Sequence, residues 1–172
     1  GLISVGGICG ENLGLVSRCS VEGQISGKHF TGGVAGYNEG CLRHCSNAAE
    51  VNIEIKDEAV DIESLDIHDI IGINLVSTED EDTVSDIGGI CGISLGTIER
   101  CTNNGTVGYQ HYGYNVGGIC GRQSGYIEEC VNNAAIYGRK DVGGICGQME
   151  PYLILDDSSS LADEITALQQ AM

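Results

Sequence analysis

VGGICG (residues 5–10), TGGVAG (31–36), IGGICG (87–92), VGGICG (116–121) and VGGICG (142–147) are five copies of one hexapeptide, apolar-Gly-Gly-apolar-small-Gly, and they decide the architecture of this chain. Only Thr31 departs from the apolar first position. Working outward, each of the first four copies is followed, twelve residues after its second glycine, by a cysteine: Cys19, Cys45, Cys101 and Cys130. Three residues before each cysteine stands an aliphatic residue (Val16, Leu42, Ile98, Ile127), and six residues after it stands another (Ile25, Val51, Val107, Ile136). The first-glycine spacing is 26 residues from Gly6 to Gly32 and from Gly117 to Gly143, 29 from Gly88 to Gly117, and 56 from Gly32 to Gly88. Self-similarity of this kind marks one supersecondary unit stacked on itself.

The repeat does not suit helices, which need apolar residues at i, i+3, i+4 and i+7 over ten or more positions. Three short apolar anchors per repeat, separated by Gly and Asn, predict three short strands joined by turns, one coil per repeat. The fold expected is all-β: a parallel β-helix of about five coils, with equivalent residues stacked about 4.8 Å apart. Glycine is expected to supply positive φ at the corners and to let backbones approach closely. Asn47, Asn103 and Asn132 share one turn position, where each can hydrogen-bond its copy in the next coil. Val21 breaks that ladder in the first coil.

The run VGGICG, then Gly-x-Ile-x-x-Cys, then Asn-x-Gly-x-Val resembles the GLUG repeat of bacterial surface proteins, over roughly residues 3–149 less the insertion described below. The resemblance implies a right-handed β-helix in a secreted or wall-attached protein, extracellular or at the bacterial cell surface. GLUG repeats accompany immunoglobulin-A-specific metallopeptidases, but that activity needs a His-Glu-x-x-His zinc site. No such run occurs here, and His29, His44, His68 and His111 are scattered singly.

Among 172 residues there are 27 Gly, one Phe and no Trp, which suits a narrow core of Ile, Val, Leu, Ala and Cys. A net charge of −17 argues against nucleic acid, whose phosphates require Lys and Arg. No apolar run approaches the ~20 residues of a membrane span. Residue 1 falls almost inside a repeat, so the chain is expected to be part of a longer protein.

Nine cysteines need an account. Cys9, Cys91, Cys120 and Cys146 share one position, where the second copy has Ala35; Cys19, Cys45, Cys101 and Cys130 share another. The reading favoured by Ala35 is two ladders of buried, reduced thiols acting as small hydrophobes. Disulfides between rungs and a metal site on Cys41, His44 and Cys45 are the alternatives. Cys41 lies outside both ladders and is expected to be the exposed, reactive thiol.

Between Val51 and Gly88 lie 37 steps where seven are usual, so about thirty residues are inserted, at about 52–86. Residues 50–86 hold 13 of the 25 acidic residues. Alternation at Val51, Ile53, Ile55 and at Ile71, Ile73, Leu75 predicts a hairpin or small sheet. Glu79, Asp80, Glu81 and Asp82 form its most acidic run, a candidate weak cation loop, although a solvated acidic loop needs no ion. A second irregular loop, 108–115 (GYQHYGYN), gathers Tyr109, His111, Tyr112 and Tyr114, a candidate ligand-binding loop; its plainer reading is a loop shielding the core. After Pro151, the steps Leu161, Ile165, Leu168 and Met172 are helical, so residues 156–172 are expected to begin a helical or coiled-coil segment beyond a solenoid spanning 1–155.

Neither a catalytic set nor a cofactor is predicted. The expected role is non-enzymatic: a structural or adhesive repeat module whose partner is an unknown host or bacterial surface ligand, protein or glycan. Two alternatives remain. One is a carbohydrate-binding or carbohydrate-active β-helix. The other is a calcium-dependent adhesive segment centred on the insertion.

Overall fold

The computed structural model describes residues 1–54 and 83–151. The hairpin expected in the insertion, the run Glu79 to Asp82 and the C-terminal helix fall outside the described residues.

Each coil opens with two four-residue strands that flank the Gly-Gly step. In the first sheet lie β1 (Ile3–Gly6), β6 (His29–Gly32), β11 (Ser85–Gly88), β15 (Tyr114–Gly117) and β19 (Lys140–Gly143). The second holds β2 (Cys9–Asn12), β7 (Ala35–Asn38), β12 (Cys91–Ser94), β16 (Cys120–Gln123) and β20 (Cys146–Met149). A third contains β3 (Leu15–Ser17), β8 (Cys41–Arg43), β13 (Thr97–Glu99) and β17 (Tyr126–Glu128). The fourth contains β4 (Ser20–Val21), β9 (Ser46–Asn47), β14 (Thr102–Asn103) and β18 (Val131–Asn132). Finally β5 (Gln24–Ile25) pairs with β10 (Glu50–Val51), and single bridges extend that ladder from Val51 to Val107 to Ile136.

Every pairing in these sheets is parallel, and the register is the one the repeat dictates. Cys9 stacks on Ala35, Ala35 on Cys91, Cys91 on Cys120 and Cys120 on Cys146. Val16, Leu42, Ile98 and Ile127 form another column. The chain is therefore an all-β parallel solenoid of about four turns. The fifth hexapeptide contributes only β19 and β20 among the described residues, so a fifth full coil is not seen. Because β6 pairs directly with β11, and β7 with β12, the two coils on either side of the insertion stack on each other.

Two expectations need correction. A coil has five short ladders rather than three, because each hexapeptide feeds two strands, one on either side of its Gly-Gly step, and the polar pair Ser46–Asn47 forms a ladder of its own beside the apolar anchors. Nor does glycine supply most of the positive φ. Ser4, Phe30, Asp86, Asn115 and Asp141 form one left-handed column, and Arg18, His44, Arg100 and Glu129 another. The hexapeptide glycines serve close approach instead: a methyl group on Gly89 would overlap the Gly118 carbonyl oxygen and the Asn103 amide carbon.

The interior is lined with aliphatic side chains and thiols at its centre. Val34, Leu42, Ile90, Ile98 and Ile119 are fully buried beside Cys45, Cys91, Cys101 and Cys120. Val51, Ile87, Val107 and Val116 form a second cluster, flanked by Val84 and Ile136. Between coils, Asn47 donates to Asn103 (2.8 Å) and Asn103 to Asn132 (2.9 Å), which is the asparagine ladder the sequence predicts. Another polar column was not anticipated: Asn12 donates to Asn38 (2.7 Å), and Asn38 to Ser94 (2.9 Å), all three being buried.

Candidate functional site

The fifth ladder positions a surface cleft. Val51, Val107 and Ile136 face the core, and their N–H and C=O groups tie consecutive coils: Val51 N–H donates to Thr106 O (2.9 Å), Gly108 N–H to Val51 O (2.7 Å) and Tyr137 N–H to Val107 O (2.9 Å). This fixes the residues that follow each anchor. Ile53 and Tyr109 stand two places after their anchors, Tyr137 one place after its own, and they meet outside the core. The cleft has a volume of about 280 Å³ and is lined by Ile53, Thr106, Gly108, Tyr109, Gln110 and Tyr137. Gly108 has a φ of 79°, and a side chain there would strike the Tyr137 carbonyl, so the floor is bare backbone.

Tyr109 and Tyr137 keep 44% and 38% of their surface exposed, far more than rings that merely close a core. Thr106 supplies a hydroxyl and Gln110 an amide. Among the described residues, the lining holds no carboxylate, imidazole, amine or guanidinium.

Of the four loop residues singled out in the sequence, only Tyr109 lines this cleft. Tyr112 closes a tight reversal with Tyr109, its N–H donating to Tyr109 O (3.2 Å). His111, at φ 59° in that reversal, is exposed. Tyr114 belongs to β15, on the first sheet, with the Arg139 guanidinium 5.7 Å above its ring centre. The missed residues were Ile53, Thr106, Gln110 and Tyr137, which all lie within three positions of the third anchor of their coil, Val51, Val107 or Ile136. The acidic run Glu79, Asp80, Glu81 and Asp82 lies outside the described residues.

A second constellation spans the outer edge of the first two sheets. Asp86, 3% exposed, accepts from Asn115 Nδ2 (2.8 Å) and from Ser85 Oγ (3.0 Å), and it pairs with Arg122 Nε (3.2 Å). Arg122 also reaches Glu150 (3.5 Å), and His29 Nδ1 lies 3.1 Å from Ser85 Oγ. The order is His–Ser–Asp: the serine hydroxyl already donates to the carboxylate, so His29 has no lone pair facing that proton and no carboxylate behind it. The arrangement is not that of a nucleophile activated by a base. It fixes the left-handed Asp86 to the coils around it.

None of the nine cysteines is in a disulfide. Cys45, Cys91, Cys101 and Cys120 are buried in the middle coils, whereas Cys9, Cys19, Cys41, Cys130 and Cys146 are half-buried. Burial of most thiols is thus limited to the central rungs, and exposure does not set Cys41 apart from the ladder ends. Burial pushes the Cys120 thiol well above its ordinary range. Hydrogen bonding to Cys130 and Cys45, with burial, does the same for Cys101. Among the described residues no group of His, Cys, Asp and Glu is placed to hold a metal ion, and no helix is long and apolar enough to cross a membrane.

Comparison with models of known protein families, with curated proteins and with solved structures finds no match.

Proposed function

We propose that this chain is a non-catalytic structural or adhesive repeat module, of the GLUG type and right-handed, from a secreted or cell-surface bacterial protein of clostridial type. Its ligand is a protein or glycan on a host or bacterial surface. The observation that carries a binding role is the make-up of the cleft between the coils: two exposed tyrosines, a hydroxyl, an amide and an aliphatic side chain, none of them a proton-transfer group. Such a surface, held by backbone pairing on both sides, is rigid before a ligand arrives, which reduces the ordering cost of binding. The resemblance of the repeats to those of bacterial surface proteins supports the location.

The test is retention. The chain, immobilised on beads, is exposed to intact bacterial and epithelial cells and to extracellular-matrix proteins. Specific, saturable retention supports the reading. Failure to retain any of them, or turnover of a polysaccharide by the chain, contradicts it. Antibody staining of intact cells of the source bacterium tests the location.

A further inference from the structure

We infer that the cleft formed by Ile53, Thr106, Gly108, Tyr109, Gln110 and Tyr137 is a binding site for a neutral sugar ring within an oligosaccharide; this rests on the adhesive reading above and names its ligand class. Three properties of the site select that chemistry.

Size comes first. The cleft encloses about 280 Å³, just under the 300–1,000 Å³ range of ordinary small-molecule sites. A volume of this size suits a single ring. Tyr109, Gln110 and Tyr137 are all exposed, so the cleft is open at the surface and the rest of an oligosaccharide chain runs out into solvent.

Surface type comes second. A pyranose presents a face of C–H groups and a rim of hydroxyls. Tyr109 and Tyr137 carry rings suited to the first, and Thr106, Gln110 and the two phenols carry donors and acceptors suited to the second. A wholly aliphatic ligand would leave those polar groups without partners on desolvation, which disfavours it. The sites rest on rigid elements. Val107 and Gly108 bond to neighbouring coils, and Tyr112 N–H ties back to Tyr109 O, so the backbone that carries the tyrosines is held in place.

Charge comes third. Among the described residues, the lining carries no ionic group that would pair with a carboxylate, sulfate or ammonium. The chain as a whole bears −17, which repels acidic glycans at a distance. Neutral hexose and N-acetylhexosamine units remain.

The experiment uses the full 172-residue chain. It is titrated, with NMR detection, against neutral hexasaccharides of glucose, mannose and N-acetylglucosamine, and against one sialylated and one sulfated oligosaccharide. The expected result is saturable binding of at least one neutral oligosaccharide. Shifts should concentrate at Ile53, Thr106, Tyr109, Gln110 and Tyr137. Tyr109→Ala and Tyr137→Ala should each weaken binding about tenfold or more, the scale of losing one aromatic platform. The unfolding midpoint of each variant is measured alongside, and weakened binding at an unchanged midpoint separates lost contact from lost fold. Thr106→Val should weaken binding while leaving the ring shifts in place.

Three outcomes overturn the proposal: no neutral sugar bound at millimolar concentration, binding indifferent to both tyrosine variants, or preference for an acidic glycan. The cell-retention assay on the same variants keeps the two readings distinct. Retention that survives Tyr109→Ala and Tyr137→Ala sinks the sugar site and leaves the adhesive role standing. Absence of both sugar binding and retention removes both.

Discussion

Asn103→Val tests how much of the solenoid's stability rests on its buried amide ladder. Asn103 is fully buried and makes four hydrogen bonds. Its Nδ2 donates to Gly105 O (2.9 Å) and Asn132 Oδ1 (2.9 Å), and its Oδ1 accepts from Asn47 Nδ2 (2.8 Å) and Gly105 N–H (3.3 Å). Valine is the apt replacement because Val21 occupies the same column in the first coil, paired in register with Asn47. It therefore fits the space and removes only polarity. After the change, Asn47 keeps its bond to Ala49 O (2.9 Å) and Asn132 keeps Ala134 N–H (3.3 Å), but both polar groups of buried Gly105 lose the amide. At about 1 kcal/mol net per bond, and 1–3 kcal/mol per orphaned buried group, the loss is about 3–5 kcal/mol. Total stability for a domain is about 5–15 kcal/mol, so the fall in melting temperature is on the order of 10 °C. Asn104→Val is the control: it removes an exposed bond from Asn133 (2.9 Å) and should change stability by less than about 0.5 kcal/mol. Urea unfolding, followed by circular dichroism, gives both values. Equal losses for the two variants would refute the reasoning.

Gly89→Ala should unfold the domain or cost more than about 3 kcal/mol in urea titration, since its methyl would strike the next coil's backbone, whereas Gly14→Ala, with open space around it, should be neutral; equal effects would contradict the close-approach account. Stability should fall above pH 9: burial raises the folded Cys120 thiol above the ordinary 9.0, so the unfolded chain ionises first, at about 1.4 kcal/mol per pH unit for that group. Cys120→Ala, which copies Ala35 in the same column, should lessen that fall, and an unfolding midpoint flat through pH 10 would contradict the shift. Thiol labelling under native conditions should spare Cys91, Cys101 and Cys120 while modifying Cys41, and mass spectrometry reads the order directly. Replacing residues 55–82 by a short Gly-containing turn should leave a cooperative thermal transition, because β6–β11 and β7–β12 pair without that segment and a change in loop length costs only ~0.6 kcal/mol per doubling; an aggregated product would show that the insertion belongs to the core.

The register was legible because stacking turns a sequence period into a column. Cys9, Ala35, Cys91 and Cys120 had to coincide once their hexapeptides did, and Asn47, Asn103 and Asn132 followed at a fixed offset. Where a column changes chemistry from coil to coil, the signal fades. Asn12, Asn38, Ser94 and Gln123 occupy one buried column, yet only the first two share a side chain. The left-handed corners were misread for a similar reason. Arg18, His44, Arg100 and Glu129 mix basic and acidic side chains, and Arg and Glu have no local preference for positive φ, so the demand comes from the stack and not from the residue. The cleft was half visible. Tyr109 was singled out with its loop neighbours, but contact in a solenoid runs between coils, and its partners Ile53 and Tyr137 lie 56 and 28 residues away along the chain.

The central claim, parallel in-register stacking, is tested most directly by nuclear Overhauser contacts of Ile98. The account predicts backbone contacts, across the ~4.8 Å strand separation, to Leu42 on one side and Ile127 on the other, residues 56 before it and 29 after it. Contacts of Ile98 confined to its own coil, or arranged in an antiparallel pattern, would contradict it.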